Sequence, residues 1–204
     1  MRRRRPLYAL PPAAPVLREV AVAFPFVESP NVTRTNGRTI DVVVIHTMEI
    51  PERPDAAEIC ARWFASPASE VSAHYCVDAD GVIQCVVEKD IAWHARGGNT
   101  SSIGVELAGL AGQGSKDWED AYSVAVLDRA ARLVADICRR RRIPVRWLGS
   151  EDLVAGKRGI AGHVDVSQAY GRSDHWDPGP GFPRDGFLSR VRAAGRRPAA
   201  APRV

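Results

Sequence analysis

Long apolar segments are absent from this chain of 204 residues. Charged residues or prolines interrupt each hydrophobic stretch before it reaches the roughly 20 residues that cross a bilayer. We therefore expect no integral membrane association. The composition, 45% hydrophobic and 25% charged, is typical of a soluble protein with one buried core, and the lack of internal repeats favours a single domain.

Cysteine is also scarce. The four cysteines, Cys60, Cys76, Cys85 and Cys138, have neither the CxxC spacing of a structural zinc site nor the density of a disulfide-stabilised domain. Cys76 and Cys85 flank a predicted turn, so they form either a disulfide or, as we favour, two buried thiols.

Lysine occurs only at Lys89, Lys116 and Lys157, so arginine carries most of the positive charge. The formal net charge of +4 predicts a weak attraction to anionic polymers. The arginines are spread over predicted helices and termini and are not interleaved with stacking aromatic residues on one strand face. This distribution argues against nucleic acid as the partner.

Both termini are rich in arginine, proline and alanine. We predict an N-terminal arm over residues 1–36, one domain over 37–193 and a disordered basic tail over 194–204. The N-terminus begins like an export signal, but prolines break its apolar segment and no clear cleavage site follows. The chain thus has no clear signal peptide, and secretion stays open as an alternative that this segment does not support.

A β-branched run predicts the central strand of the fold. Residues 39–46, TIDVVVIH, are typical of a strand that is buried on both faces, and this strand ends at His46. The segments 72–77 and 81–87 form the arms of a predicted hairpin. Residues 102–109, SIGVELAG, are predicted to form a further strand.

Helical periodicity marks two longer segments. Asp55 stands three residues before Glu58, an N-capping arrangement that opens a predicted helix over 56–66. Apolar residues at helical spacing predict a long core helix over 118–142. The segment 163–183 is rich in glycine and proline near its end and is predicted to be a loop.

All five histidines lie at predicted strand ends or in loops, where a rigid sheet can carry a functional site: His46, His74, His94, His163 and His175. Each of them taken singly is more often structural. Together, however, His46, His163 and Asp177 supply two imidazoles and one carboxylate. This set matches the three protein ligands of a catalytic zinc ion that keeps one position open.

Amide hydrolysis at such a site needs a base and a donor for the developing oxyanion, and our candidates are Glu106 and His175. Strand alternation places Glu106 between Gly104 and Ala108 on one face, which is typical of a cleft wall. The alternatives are an exposed acid at Glu106, and a surface turn that holds His175 and Asp177.

Four blocks in order resemble the type 2 N-acetylmuramoyl-L-alanine amidases, a family that includes phage lysozyme-amidases and animal peptidoglycan recognition proteins. The blocks are VVVIHTME, SAHYCVDADGVIQ, AWHARGGNTSSIGVELAG, and AGHVDV followed by DHWDPGPGFP, and they extend over residues 41–183. The resemblance implies an α/β fold with a central mixed sheet flanked by helices. It also implies hydrolysis of the amide between the lactyl group of muramic acid and L-alanine in peptidoglycan.

The same resemblance assigns roles to individual residues. It implies that His46, His163 and Asp177 bind Zn²⁺ and that Glu106 acts in catalysis. His175 stands where many relatives have lysine, and because histidine changes its charge near neutral pH, we expect activity to depend on pH.

A further block of the family lines the substrate groove. The matching residues are Trp93, His94 and Asn99, so we expect substrate contact there. For His94, support of the metal ligands and plain packing stay open as alternatives.

Several biological settings fit such an enzyme. We favour a monomeric phage or prophage endolysin, made in the host cytoplasm and acting on the cell wall. Two alternatives are a cytoplasmic amidase that recycles anhydro-muropeptides and a binding module that recognises peptidoglycan without cleaving it.

Overall fold

The computed structural model describes residues 24–196, and its centre is a five-stranded mixed sheet with the order β4-β3-β6-β2-β7. Only β3 and β4 pair antiparallel within it. A separate two-stranded sheet pairs β1 with β5. The strands are β1 Val32–Thr33, β2 Val42–Thr47, β3 Tyr75–Val77, β4 Val82–Gln84, β5 Ile91–Ala92, β6 Ser102–Leu107 and β7 Gly159–Gly162.

Helices cover both faces of the central sheet, which confirms the predicted α/β class. The helices are α1 Ala56–Phe64, α2 Ala121–Arg141, α3 Ser150–Val154, α4 His163–Tyr170 and α5 Arg184–Arg196, with short 3-10 turns at Pro67–Ser69, Asn99–Ser101 and Ser115–Trp118. Helices α2 and α5 pack together against one face. Helix α1 and the pair α3 and α4 cover the opposite face.

The predicted central strand is present as β2, and every residue of it is buried. Val43 and Ile45 face the core under α2, whereas Val42 and Val44 face α3 and α4. An apolar run fits this position because both faces of the strand are covered. Alternation then directs the side chain of His46 towards the α3 and α4 side.

The start of α1 differs from the prediction. The Asp55 carboxylate makes no capping hydrogen bond and instead accepts from Arg53 Nε. The amide of Ala57 is capped by Asp78 Oδ2 at 2.9 Å, from the turn of the hairpin. A contact across the fold therefore takes the place of the local capping arrangement.

The segment predicted as a loop over 163–183 begins with helix α4 and follows a strand, β7, that the sequence analysis did not identify. Because two of its four residues are glycines, β7 lacks the β-branched or alternating pattern that predicts a strand. Helix α4 is opened by Asp165, whose Oδ2 accepts from the Gly162 amide at 2.8 Å and from Trp147 Nε1 at 2.9 Å.

Residues 24–36, which the prediction placed in the arm, pack against the domain. The amides of Val27 and Ser29 donate to the carbonyls of Gln84 and Cys85. The buried Asn31 side chain donates to Ser66 O at 2.9 Å. Because these contacts join segments that are distant in the chain, residues 24–36 show no local periodicity that would predict them. Residues 1–23 and 197–204 lie outside the described residues.

All four cysteines are buried free thiols. The Sγ atoms of Cys76 and Cys85 lie 3.8 Å apart, so the favoured thiol state is the one in the structure. Among residues 24–196, no helix is long and apolar enough to span a membrane.

Two of the arginines at the end of α2, Arg140 and Arg141, bind one buried acid, Glu88. Its carboxylate accepts from Arg140 Nη2 at 2.8 Å, from Arg141, and from the Tyr75 hydroxyl at 2.9 Å. Burial opposes ionisation of Glu88, but the hydrogen bonds and charges of the arginines outweigh it and lower the pKa to about 2.

We predict that Glu88→Gln lowers the free energy of unfolding by roughly 2 kcal/mol at pH 7. This is less than for a fully buried ion pair because the Arg140 and Arg141 side chains are 36% and 35% exposed. Since the folded-state pKa of Glu88 is depressed, the difference should be fully present above pH ~5 and shrink as the pH falls towards 2. Urea unfolding of both proteins at pH 7, 4 and 3 measures this, and a constant difference would contradict it.

Candidate active site

The candidate site lies where three parallel strands end side by side. His46 is near the end of β2, opposite Glu106 on β6. Strand β7 pairs Gly162 with Ile45 and runs directly into α4 at His163. In open sheets the edge at the carboxyl ends of parallel strands is where ligands bind.

A buried cluster of His46, His163 and Asp177 occupies this edge. His46 Nδ1 lies 3.1 Å from Asp177 Oδ2, and His163 Nδ1 lies 3.2 Å from Asp177 Oδ1. One ligand atom from each residue can be chosen so that all three lie within 4.8 Å of one another. The structure thus brings together the three residues that the sequence predicted as metal ligands.

The two residues predicted to act in catalysis flank this cluster. Glu106 is half-buried beside His46, and among residues 24–196 its carboxylate has no hydrogen-bond donor. Burial, then the negative charges of Asp177 and Glu49, raise the pKa of Glu106 well above its usual range. The alternative of a solvent-exposed acid is therefore excluded.

His175 lies on the outer side of the cluster. Its ring stacks on that of His163 at a centroid distance of 4.4 Å, and its Nδ1 lies 3.7 Å from Asp177 Oδ1. The side chain is 62% exposed. Asp177, in contrast, is buried, so the loop that carries both residues is not a free surface turn.

The cluster opens into a groove of about 280 Å³. His46, Glu106, His163, His175 and Asp177 line one part of it, together with His94 and Trp93. A groove with a convergent set of ionisable groups is the usual form of an enzyme active site.

Comparison with known proteins identifies the family. A family model described as N-acetylmuramoyl-L-alanine amidase matches residues 36–180. The chain belongs to this family. It is 33% identical over 178 residues to N-acetylmuramoyl-L-alanine amidase A of Achromobacter lyticus, covering 83% of this chain and 93% of that protein.

Solved structures agree in fold. The hydrolase AmiA of Staphylococcus aureus, solved with its ligand, superposes with a TM-score of 0.60 at 18% identity, over 77% of this chain and 73% of that one. A mutant endolysin from Bacillus subtilis gives 0.59 at 18% identity, over 83% and 99%.

The surroundings of Asp177 and His163 suit a bound cation. The side chains that contact the Asp177 carboxylate, among the described residues, are all histidines. Although burial opposes ionisation, these contacts hold the pKa of Asp177 well below its usual range. Burial also lowers the pKa of His163. An ionised carboxylate and neutral imidazoles are the forms that bind a divalent metal.

Of the three residues that we expected to contact substrate, two line the groove and one does not. Trp93 lines the groove and is 38% exposed, with its indole N–H bonded to Thr33 Oγ1. His94 lines the groove too, but both of its ring nitrogens are bonded, to His46 and Ser102. Burial, then the nearby His46, lowers the pKa of His94 well below its usual range.

Asn99 is not brought to the groove. Its Oδ1 accepts from the amides of His94 and Ala95, at 3.1 and 2.6 Å. The side chain therefore shapes the loop that carries His94, and the sequence could not reveal this because an asparagine amide fits either role.

Trp176 and Glu49 are two of the groove residues that were not predicted from the sequence. Trp176 lies between two predicted site residues and is 53% exposed. Glu49 holds one carboxylate oxygen between Thr47 Oγ1 and the Ala111 amide, at 2.7 and 2.8 Å. Both lie inside the blocks that resemble the amidase family, Glu49 three residues after His46 and Trp176 next to Asp177. Their closeness to these two residues in the chain could have predicted a place in the groove.

Gly179 fixes the loop that carries Asp177. Its φ is +84°, and an added Cβ would lie 1.8 Å from the carbonyl oxygen of Ala111. The Asp177 carbonyl also accepts from the Val164 amide at 2.9 Å, at the start of α4. Close backbone approach on both sides therefore sets the position of the carboxylate.

We predict that Gly179→Ala lowers the free energy of unfolding by about 2–4 kcal/mol, because the methyl group would clash and the residue would be strained. Gly112→Ala is the matched control, since nothing lies within 4 Å of its added Cβ. It should change the free energy by no more than about 0.5 kcal/mol. Urea unfolding measures both, and equal stabilities would contradict the role given to Gly179.

Proposed function

We propose that this enzyme is a zinc-dependent amidase that hydrolyses the amide bond between the lactyl group of muramic acid and L-alanine in peptidoglycan. The observation that carries the proposal is the convergence of His46, His163 and Asp177 beside Glu106 in one groove. Family membership supports the reaction class.

The donor set supports zinc in particular. Two imidazole nitrogens and one carboxylate oxygen form a typical catalytic zinc set with room for a further ligand. When zinc is bound, it supplies a Lewis acid for the attacked carbonyl and for the attacking water. Harder cations such as Mg²⁺ and Ca²⁺ prefer oxygen ligands.

Glu106 is the general base in this proposal. One of its carboxylate oxygens takes a proton from the attacking water and later delivers it to the nitrogen of the departing alanine. The raised pKa of Glu106 suits both steps, because the carboxyl group must hold the proton between them. No side chain or amide in the described part of the chain donates to this carboxylate, so it is free to meet the water.

His175 stabilises the negative charge on the attacked carbonyl oxygen. Its exposed ring stands at the mouth of the cluster, where an N–H can reach a substrate atom. Stacking on His163 fixes the plane of the ring.

The remaining walls of the groove suit a substrate with apolar faces. Trp93, Trp176 and Val71 are exposed there, at 38%, 53% and 40%. A sugar ring, a lactyl group and the methyl of alanine each present an apolar surface to such side chains.

We further propose that the enzyme acts on whole walls as an endolysin. Residues 24–196 contain 21 Lys and Arg against 23 Asp and Glu, so the positive excess of the chain lies at its two ends. These basic ends would attract the enzyme to anionic wall polymers. A recycling amidase would instead prefer soluble anhydro-muropeptides.

The proposed function is tested by assaying purified protein for zinc content and for release of new alanine amino termini. Sacculi and soluble anhydro-muropeptides are supplied in parallel. We expect one zinc per chain, release from sacculi, and loss of release after chelation. Zinc without release from either substrate would favour a binding module, and release from the soluble substrate alone would favour recycling.

In the same assay Glu106→Gln should retain zinc and lose roughly 10²- to 10⁴-fold in rate, because an amide cannot accept the proton. Glu151→Gln, an exposed acid on α3, is the control and should keep full activity. A Glu106→Gln variant with undiminished rate would refute the assigned base.

His175→Ala should leave zinc content unchanged and lower turnover by about 10²-fold, as for loss of one oxyanion donor. His175→Lys should keep more activity and show a flatter profile between pH 6 and 8, because lysine stays cationic there. Loss of zinc from His175→Ala would show that the residue is a ligand.

A further inference from the structure

A chain of hydrogen bonds runs from the backbone to the candidate metal ligand His46. Ser102 Oγ lies 2.8 Å from the Gly98 carbonyl oxygen and 3.1 Å from His94 Nε2. His94 Nδ1 in turn lies 3.0 Å from His46 Nε2. The other nitrogen of His46, Nδ1, faces Asp177.

The direction of this chain is fixed by its first member. A carbonyl oxygen can only accept, so the Ser102 hydroxyl donates its single proton to Gly98 O. The hydroxyl oxygen is then left to accept from His94 Nε2–H. A neutral imidazole carries one N–H, so His94 Nδ1 is an acceptor and receives the proton of His46 Nε2–H.

We propose that Ser102 and His94 are positioning residues that hold His46 in the tautomer with its lone pair on Nδ1. That nitrogen is the one aimed at Asp177, where the metal would bind. The inference rests on the zinc dependence proposed above, and it gives His94 a role in positioning a ligand in place of contact with substrate.

The packing around His94 supports this role. An added Cβ at Gly104 would lie 2.6 Å from Cγ of His94, so the strand face leaves room for the ring only because this residue is glycine. Ser102 and Gly104 alternate with buried core residues of β6 and lie on the same face as Glu106. Asn99 fixes the backbone of His94 from the other side. Partners that orient a metal-binding histidine commonly change metal affinity 10- to 100-fold when they are removed.

The first test reads the tautomer directly. In zinc-loaded wild-type protein labelled with ¹⁵N-histidine, long-range ¹H–¹⁵N spectra at pH 8 should show His46 with its proton on Nε2, since an unprotonated Nδ1 only 3.1 Å from the Asp177 carboxylate needs a cation between them. A proton on Nδ1 of His46 would overturn the proposal, and this result does not depend on any variant folding.

The second test measures the affinity for Zn²⁺ alone, by competition with a chromophoric chelator. Ser102→Ala and His94→Phe should bind Zn²⁺ about 10- to 100-fold more weakly than wild type. Ser101→Ala, which changes the adjacent serine outside the chain of hydrogen bonds, should bind as wild type does. Circular dichroism at the assay temperature checks that each variant is folded.

The outcomes separate this inference from the proposed function. Folded Ser102→Ala and His94→Phe proteins with wild-type affinity would overturn the positioning role while leaving zinc dependence intact. A wild-type protein that binds no Zn²⁺ would refute the proposed zinc dependence itself, and the positioning role would fall with it.

Discussion

The parallel register of β2 with its two neighbours is the constraint on which the site depends. This register places His46 opposite Glu106 on one side, and on the other side places Ile45 opposite Gly162, so that His163 follows at once. The strand register alone therefore places the imidazoles of His46 and His163 close to the carboxylate of Glu106. Asp177 and His175 are supplied by a loop, and contacts with Ala111 and Val164 hold that loop in place.

The carboxylates of Asp177 and Glu106 at this edge have different surroundings. Burial favours the neutral forms of both Asp177 and Glu106, yet the contacts with histidines hold the pKa of Asp177 low, whereas burial and the charges of Asp177 and Glu49 raise the pKa of Glu106. The two carboxylates therefore differ in character: Asp177 can bind a cation, and Glu106 can carry a proton. Such a difference between neighbouring carboxylates is a common basis of acid and base catalysis.

The sequence predicted the elements whose signal is local. The strand that ends in His46 is marked by its β-branched run, and Glu106 is marked by alternation between apolar residues. The family blocks then indicated His163, His175 and Asp177 in a segment where periodicity gives little information, and their spatial convergence agrees with that interpretation.

Elements that depend on distant contacts were not predictable. The start of α1 is capped from the hairpin rather than by Asp55. The cap of α4, Asp165 on the Gly162 amide, is local, but it was missed in a segment that was predicted to be a loop. The direction of the Asn99 side chain depends on the path of its own loop. Residues 24–36 are held by single side chains and backbone bonds to remote segments, so composition alone suggested an arm.

X-ray absorption at the zinc edge of the purified, zinc-loaded protein tests the central claim most directly. The account predicts a first shell of nitrogen and oxygen atoms alone, at about 2.0–2.1 Å, with the multiple scattering of two imidazoles. A sulfur shell at about 2.3 Å would place the metal on cysteine instead and would contradict the assignment of His46, His163 and Asp177.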